Sequence, residues 1–409
     1  MMSDSDIPDK TQVCIIGAGP AGVIAAYIFA LRGVSVVLLE GMKDFDREFR
    51  GDTLHASSLE ILEQLGLADE ILEQTHSRIE KLSFTFPDQV ITLADFSAMD
   101  TKYPYVAIIP QEKFLNHIVE KGKQLSGFKV LMGAQVRELK ETNGKISGVK
   151  FNYKGNEHEL DAGLTIGADG RGSTARRLAK IELGKTSPPM DVIWFKLSLP
   201  TETEMQEAIS GHIGSGTMIA IINRKEYLQV GYIIMKGAYK ELRNQGIEHF
   251  HETIKNLAPE LSETITEIKD WSQMAILSVV TGRAKQWYKD GLLLIGDAAH
   301  IMSPVGGVGI NYAIQDAVAA VNQLTDPIKE DRLTISDLAV VQKRREPAVA
   351  IIQKFQSLVQ HRIISAALNS DKAFSPPLPM KIISRVPFIR KRLAHFLAFG
   401  LRHERVEGV

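Results

Sequence analysis

Cysteine is almost absent: Cys14 is the single one in 409 residues. One thiol excludes an intramolecular disulfide and a multi-cysteine metal centre, so no metal is expected. That usage fits a reducing, cytoplasmic setting. A long apolar run is missing too. The longest, Val23 to Leu39, is broken by Arg32-Gly33 and reads as a helix and a strand rather than a membrane span. The opening Met-Met-Ser-Asp-Ser-Asp is polar and acidic, without an apolar signal core. Neither charge dominates: 48 Lys+Arg face 49 Asp+Glu, which argues against a nucleic-acid partner. Repeats and low-complexity tracts are absent. With 44% hydrophobic and 24% charged residues, the chain is neither disordered, collagen-like nor coiled coil. At about 150 residues per domain, its length suggests two or three domains.

What is present begins with a strand–turn–helix–strand unit. Val13-Cys14-Ile15-Ile16 is a run of β-formers, Ala21 to Leu31 is helical, Gly33 ends that helix, and Val34 to Leu39 is a second strand. Leu54 to Leu65 reads as an amphipathic helix with Ser57 or Ser58 as cap, and Phe114 to Leu125 as another helix. Val130 to Leu139, Ile146 to Tyr153 and Leu164 to Ile166 read as strands. After Ser187-Pro188-Pro189 the texture changes. Ile193, Phe195, Leu197 and Leu199 alternate with Trp194, Lys196 and Ser198, and Gly216–Ile222 and Tyr227–Met235 flank a polar hairpin turn. Gly291 to Ile295 is again a buried strand, followed by a helix from about Gly309. From Val340 onward the pattern is helical, with Ile351, Phe355, Leu358 and Ile352, Val359 recurring at spacings of three, four and seven and Pro347 as a kink or a start.

Between the first strand and helix lies Gly17-Ala18-Gly19-Pro20-Ala21-Gly22, a G-x-G-x-x-G turn. Gly17 permits the tight turn, Gly19 lets backbone approach a pyrophosphate, and Gly22 lets the helix pack on the strand. The helix N-terminus offers free N–H groups and partial positive charge to phosphate. Glu40 ends the second strand, where a carboxylate can accept hydrogen bonds from ribose hydroxyls. It argues against a 2′-phosphate, which leaves FAD or NAD.

Two further motifs decide between them. Asp169-Gly170-Arg171-Gly172-Ser173-Thr174-Ala175-Arg176 matches D-G-x-x-S-x-x-R. Gly296-Asp297-Ala298-Ala299-His300 matches G-D-A-A-H and is followed by Pro304, Gly306, Gly307, Gly309 and Asn311. In this order and spacing, the three motifs resemble the class A FAD-dependent monooxygenases, the flavoprotein aromatic hydroxylases typified by p-hydroxybenzoate hydroxylase. The resemblance covers about residues 10–330. It implies an α/β fold: a Rossmann-like FAD-binding domain (10–80, 107–180 and 281–330) interleaved with an antiparallel-sheet substrate domain (81–106 and 181–280), then a C-terminal helical region (331–409).

The resemblance also implies roles. Gly17, Gly19, Gly22 and Glu40 would hold the ADP half of FAD, and Val136 would meet the adenine through its backbone. Arg50 would reach the flavin and its phosphates. Gln111 would lie near the ribityl chain, and Asp297 would accept from a ribityl hydroxyl. The loop from Pro304 to Asn311 would pass under the flavin ring, where the N–H groups of Gly309, Ile310 and Asn311 favour the reduced, anionic flavin. Asp169 and Arg176 would hold FAD and support transient NADH or NADPH. Arg176 pairing with a nearby carboxylate, in a purely structural role, is the alternative. At Val308 and Ala313 the chain departs from the family's usual polar residue and glycine.

With one dinucleotide fingerprint and no second, NAD(P)H would bind transiently, reduce the flavin and leave. Dioxygen would then give a C4a-hydroperoxyflavin that hydroxylates a small aromatic or polyketide-like substrate. Candidate pocket residues are Trp194, Met218, Tyr227, Gln229 and Tyr232, weighed against plain sheet packing. His212 reads as surface and His300 as a structural hydrogen-bonding residue; no catalytic base is nominated. The tail from Asp371 holds eight Lys/Arg against three acids. A helix docked on the core is preferred there over a membrane-surface helix. The competing functions are a geranylgeranyl-reductase-type enzyme and a non-catalytic carrier on the same fold. The W-x-W-x-I-P motif of flavin halogenases is absent.

Overall fold

Two sheets organise the chain. The computed structural model describes residues 7–46, 52–74, 76–201, 208–370 and 374–408. In the first sheet, parallel strands run side by side in the order Leu292–Leu294, Asn156–Gly167, Lys10–Ile16, Val36–Glu40 and Phe128–Met132. Their continuous apolar runs suit strands covered on both faces. Antiparallel neighbours, among them Lys145–Tyr153 and Gln135–Thr142, extend the sheet.

The helix Pro20–Leu31 is apolar nearly all round, and ten of its twelve residues are buried. Such a helix needs cover on every side. It lies against the sheet and against the helices Gly309–Lys329 and Gln111–Gly122. The second sheet joins Ala275–Ser278, Met190–Leu197, Leu228–Met235, Met218–Asn223, Ile209–Ile213, Lys81–Thr85 and Val90–Asp95. It is antiparallel except where Ile209–Ile213 meets Lys81–Thr85. Alternation splits it into two faces. Ile193, Phe195, Ile219, Ile221, Val230 and Tyr232 pack on Phe250 and Ile254 of the helix Ile247–Leu257. Met190, Val192, Trp194, Met218 and Ile233 lie on the other face, in a cluster that includes Val305.

Several expectations change. The stretch Val130 to Leu139 is two strands, because Gly133, at φ +85°, turns the chain between them. Ser57 and Ser58 lie inside the helix Ala56–Gln64, where their hydroxyls bond to Ala398 O and Asn311 Oδ1 instead of capping it. Pro347 sits in the interior of the helix Ile335–Val359, which starts at a capping box of Thr334 and Asp337. That helix buries Leu338, Val341, Arg345, Val349 and Ile352, while Ile351 and Leu358 face solvent. The terminal helix Pro387–Phe399 buries Ala394, Leu397, Ala398 and Phe399 in the first core. Among the described residues, no helix is long and apolar enough to cross a membrane.

Candidate functional site

The three motif turns leave the carboxyl ends of three adjacent parallel strands. Gly17 N–H donates to Leu39 O (2.7 Å), Ala168 N–H to Ile16 O (2.8 Å) and Ile295 N–H to Gly167 O (3.0 Å), so the turns are knitted together. The glycines divide by what surrounds them. A Cβ on Gly17, at φ +98°, would lie 2.6 Å from Asp169 Cα, and one on Gly22 would lie 1.9 Å from Gly17 O. Both glycines are demanded by the chain's own packing. At Gly19 the nearest atom is Ala168 O, 4.0 Å away. The protein leaves the space beside Gly19 open, at the start of a helix without a side-chain cap. Unsatisfied N–H groups and the helix dipole there suit an anion.

Glu40 is buried at the end of its strand. Its Oε2 accepts from Ala18 N–H (2.8 Å) and its Oε1 from Met42 N–H (3.0 Å), which braces the glycine turn. The chain returns beside it: Ala134 N–H donates to Glu40 O and Gly133 N–H to Met42 O. Val136 therefore lies close to the Glu40 end of the groove. Gln111 begins its helix, and its N–H donates to Asp52 Oδ1 (3.0 Å). Arg50 lies outside the described residues.

The second motif works as a strut. Asp169 accepts from Ser173 Oγ (2.5 Å), Thr174 N–H (2.6 Å) and Ala175 N–H (3.0 Å), fixing the turn that follows it. Arg176 is buried and donates to two carbonyls, Ala298 O (2.7 Å) and Arg171 O (2.8 Å). Those carbonyls, rather than the carboxylate of the alternative reading, are its hydrogen-bond partners, and they tie the second motif to the third. The Asp297 side chain keeps about a third of its surface open, and Arg171 Nε stands 3.5 Å away. Enclosure pushes its carboxyl above the ordinary value, and Arg171 only partly offsets that.

The glycine loop after the third motif is held from below. Pro304 is exposed and precedes a short turn in which Gly306 and Gly307 adopt φ +81° and +60°. Thr53 Oγ1 donates to Gly307 O (2.6 Å). Asn311 is buried, and its Oδ1 accepts from His55 N–H (2.9 Å) and Ser58 Oγ (2.5 Å). The helix Gly309–Lys329 starts without a side-chain cap, and its first intrahelical donor is Tyr312 N–H. The N–H groups of Gly309, Ile310 and Asn311 therefore open toward the loop, a place suited to negative charge. The His55 ring is buried under this loop. Burial lowers its pKa to about 4, against the pull of the Gly307 and Gly306 carbonyls, so it is neutral at pH 7.

A chain of buried charges braces the third motif from behind. His300 Nε2 lies 2.5 Å from Asp316 Oδ2, which also accepts from Gly296 N–H (3.0 Å). Arg345 Nε donates to Asp316 Oδ1 (2.8 Å), and its Nη1 reaches Arg402 O (3.1 Å) and Glu404 Oε1 (3.5 Å). Arg344 closes the chain on Glu404 Oε2 (2.6 Å). Burial alone would raise the Asp316 carboxyl, but His300 and Arg345 outweigh it and hold it below the usual range.

The pocket candidates separate by face. Trp194, Met218 and Gln229 lie on the face turned to the glycine loop. Tyr227, just before its strand, has Lys196 Nζ 5.5 Å from its ring centre. Tyr232 points the other way, into the core with Phe250 at 5.2 Å, so it lines no pocket beside the loop. Odd offsets, three residues from Gln229 and one from Ile233, put it there. His212 is buried rather than surface, 2.9 Å from Glu260 Oε1 on the same far side. Asp52, Thr53 and Arg224 are among the residues not singled out in the sequence. Asp52 and Thr53 follow Arg50 closely in the chain. Arg224 sat in the polar hairpin turn. Its Nη2 donates to Asp52 Oδ2 (2.5 Å) and to Gln229 Oε1 (2.5 Å), pinning the second sheet to the segment that holds Gly307.

Residues 10–354 match the family model described as FAD binding domain. The chain is 31% identical over 404 residues to 6-methylpretetramide 4-monooxygenase of Streptomyces rimosus, covering 97% of this chain and 94% of that protein. Among solved structures it resembles p-nitrophenol 4-monooxygenase of Pseudomonas putida, with TM-score 0.76 and 18% identity over 95% of this chain and 94% of the other. It also resembles the anhydrotetracycline hydroxylase of Streptomyces rimosus, with TM-score 0.73 and 20% identity over 95% of this chain and 76% of that one.

Proposed function

The chain belongs to the FAD-binding family of flavoprotein aromatic monooxygenases and is an FAD-dependent enzyme of that kind, and from this we propose how its residues serve the reaction and what it acts on. FAD held at this site would supply the chemistry by which NAD(P)H and O2 place one oxygen atom on an aromatic carbon. The protein's part is to bind, orient and exclude water.

In this proposal Gly19 and the N-terminus of the helix Pro20–Leu31 receive the pyrophosphate, and Glu40 and the backbone at Val136 receive the adenosine. Asp297, open on one side, accepts from a ribityl hydroxyl, with Gln111 nearby. Gly306 to Asn311 support the flavin ring, and the three uncapped N–H groups of Gly309, Ile310 and Asn311 stabilise negative charge on it. Asp169 and Arg176 keep the second and third turns in register, and NAD(P)H support comes through that rigidity. The substrate meets the flavin from the Trp194 face of the second sheet. The aromatic polyketide skeleton named for the 31%-identical relative supports a polyketide-like phenol as the substrate class.

One observation carries the reading: three turns distant in sequence meet at adjacent strand ends, with open space beside Gly19 at the start of the first helix. That relative, similar along 97% of the chain, favours oxygenation over the reductase and carrier readings. The test is a panel of phenols and polyketide aromatics incubated with holoenzyme, NAD(P)H and O2, with peroxide measured in parallel. Substrate-stimulated NAD(P)H oxidation that yields hydroxylated product and little peroxide supports the proposal. A panel in which every compound leaves oxidation unstimulated or yields only peroxide overturns it.

A further inference from the structure

The face of the second sheet turned toward the glycine loop carries an unusual row. Reading across the strands by register, Ala275 pairs with Trp194, Trp194 with Gly231, Gly231 with Ala220, Ala220 with Gly211, and Gly211 with Phe84. The centre of the row is two glycines and an alanine. The rows on either side are large: Val192, Ile233, Met218 and Ile213 on one, and Lys196, Gln229, Ile222 and Ile209 on the other.

Both aromatics lean inward over the glycines. A Cβ on Gly231 would lie 2.8 Å from Trp194 Cζ3, and one on Gly211 would lie 2.6 Å from Phe84 Cδ1. The six-membered ring of the indole therefore rests on Gly231 and the phenyl ring on Gly211, with the Ala220 methyl between them. Trp194, Ala220 and Phe84 all keep partial exposure, whereas Ile193, Ile219 and Ile221 on the opposite face are sealed. An indole over a glycine is ordinary cross-strand packing when it is covered. Here the indole keeps partial exposure, and among the described residues Trp194 Nε1 is buried without a hydrogen-bond partner. A buried indole N–H normally has one.

We propose that Trp194, Gly231, Ala220, Gly211 and Phe84 form the floor of the substrate site, that its occupant is a planar aromatic compound of several fused rings, and that Trp194 Nε1–H donates to an oxygen on that compound. This rests on the aromatic monooxygenase reading above and specifies its substrate. Gly231 and Gly211 stand two strands apart, so the two rings lie about 10 Å from each other. A single-ring phenol touches one of them. A fused polycycle spans both and covers the Ala220 methyl. Val305, at the start of the glycine loop, packs in the same cluster as Trp194, which sets the floor across from the proposed flavin position.

The test needs no turnover. Holoenzyme is titrated with a dihydroxyanthraquinone and with 4-hydroxybenzoate, and binding is read by flavin absorbance and tryptophan fluorescence. The floor predicts that the anthraquinone binds about tenfold or more tighter. Ala220→Leu, which puts a larger side chain between the rings, weakens the anthraquinone about tenfold at unchanged FAD content. Trp194→Phe keeps a ring and removes the donor, and weakens it about fivefold. If Ala220→Leu loses FAD, Ala220→Val serves the same test. Equal binding of the two probes, or anthraquinone affinity untouched by the Ala220 variants, overturns the floor. Hydroxylation of single-ring phenols by an enzyme indifferent to the anthraquinone sinks the floor and leaves the monooxygenase reading standing. Tight, Ala220-sensitive anthraquinone binding with no compound oxygenated does the reverse.

Discussion

Replacing Arg345 with methionine should loosen the third motif from a distance. The Arg345 side chain is fully buried, and so are its carboxylate partners Asp316 and Glu404. Methionine fills much of the same volume, so the perturbation is chiefly electrostatic. Breaking a buried ion pair costs about 3–5 kcal/mol, because the remaining charge loses its compensation. The lower end applies here. Asp316 keeps His300 at 2.5 Å and Gly296 N–H at 3.0 Å, and Glu404 keeps Arg344 at 2.6 Å. We expect a loss of about 3 kcal/mol in unfolding free energy by denaturant titration of the holoprotein. Asp316 also holds the Gly296 N–H, so FAD dissociation should rise on the order of tenfold, or about 1.4 kcal/mol. Adding Glu404→Gln removes one stranded charge and should recover part of the stability. A loss below about 1 kcal/mol with FAD affinity unchanged would refute the claim that this buried chain braces the cofactor turn.

Other expectations follow from the same contacts. His55 takes up a proton near pH 6.5 when unfolded but only near pH 4 when folded. Its contribution to stability is therefore complete above pH 6.5 and lost as pH falls toward 4, about 3 kcal/mol in all. In His55→Asn the acid-induced loss across that window should shrink by about that amount; an identical pH profile would contradict the buried, neutral ring. Arg224→Ala leaves Asp52, whose side chain is 14% exposed, without its charge partner and should cost about 2 kcal/mol. Combining it with Asp52→Asn in a double-mutant cycle should reveal a coupling of at least about 1 kcal/mol, and strict additivity would show that the second sheet is not pinned to the Asp52–Thr53 segment there.

What could be read from the sequence was what is local. Gly17, Gly19, Gly22 and Glu40 sit in one βαβ unit, so spacing alone located the turn, and the other two motifs are equally compact. The charge chain was illegible, because Asp316, Arg345 and Glu404 are separated by 29 and 59 residues and meet only through tertiary packing. The same packing blurred the reading of the helix Ile335–Val359. Its buried side includes Gln342, Arg345 and Gln356, so of the apolar positions read from spacing Ile352 is buried while Ile351 and Leu358 face solvent. On the strand Leu228–Met235 nearly every residue is buried, and alternation then cannot say which face meets the site. Tyr232 was misplaced for that reason. Trp194 lies on the face that includes Val305 of the glycine loop, but the glycines its ring rests on are visible only in the register.

The most direct test of the central claim is an FAD titration of Gly19→Val. Gly19 has φ −71°, and among the described residues no atom beyond its chain neighbours lies nearer than 4.0 Å to an added Cβ, so the described chain tolerates the change. Apoprotein of the variant should melt like the wild type yet bind FAD at least about a hundredfold more weakly, because the new side chain occupies the pyrophosphate's place. Undiminished FAD affinity in a folded Gly19→Val protein would contradict it.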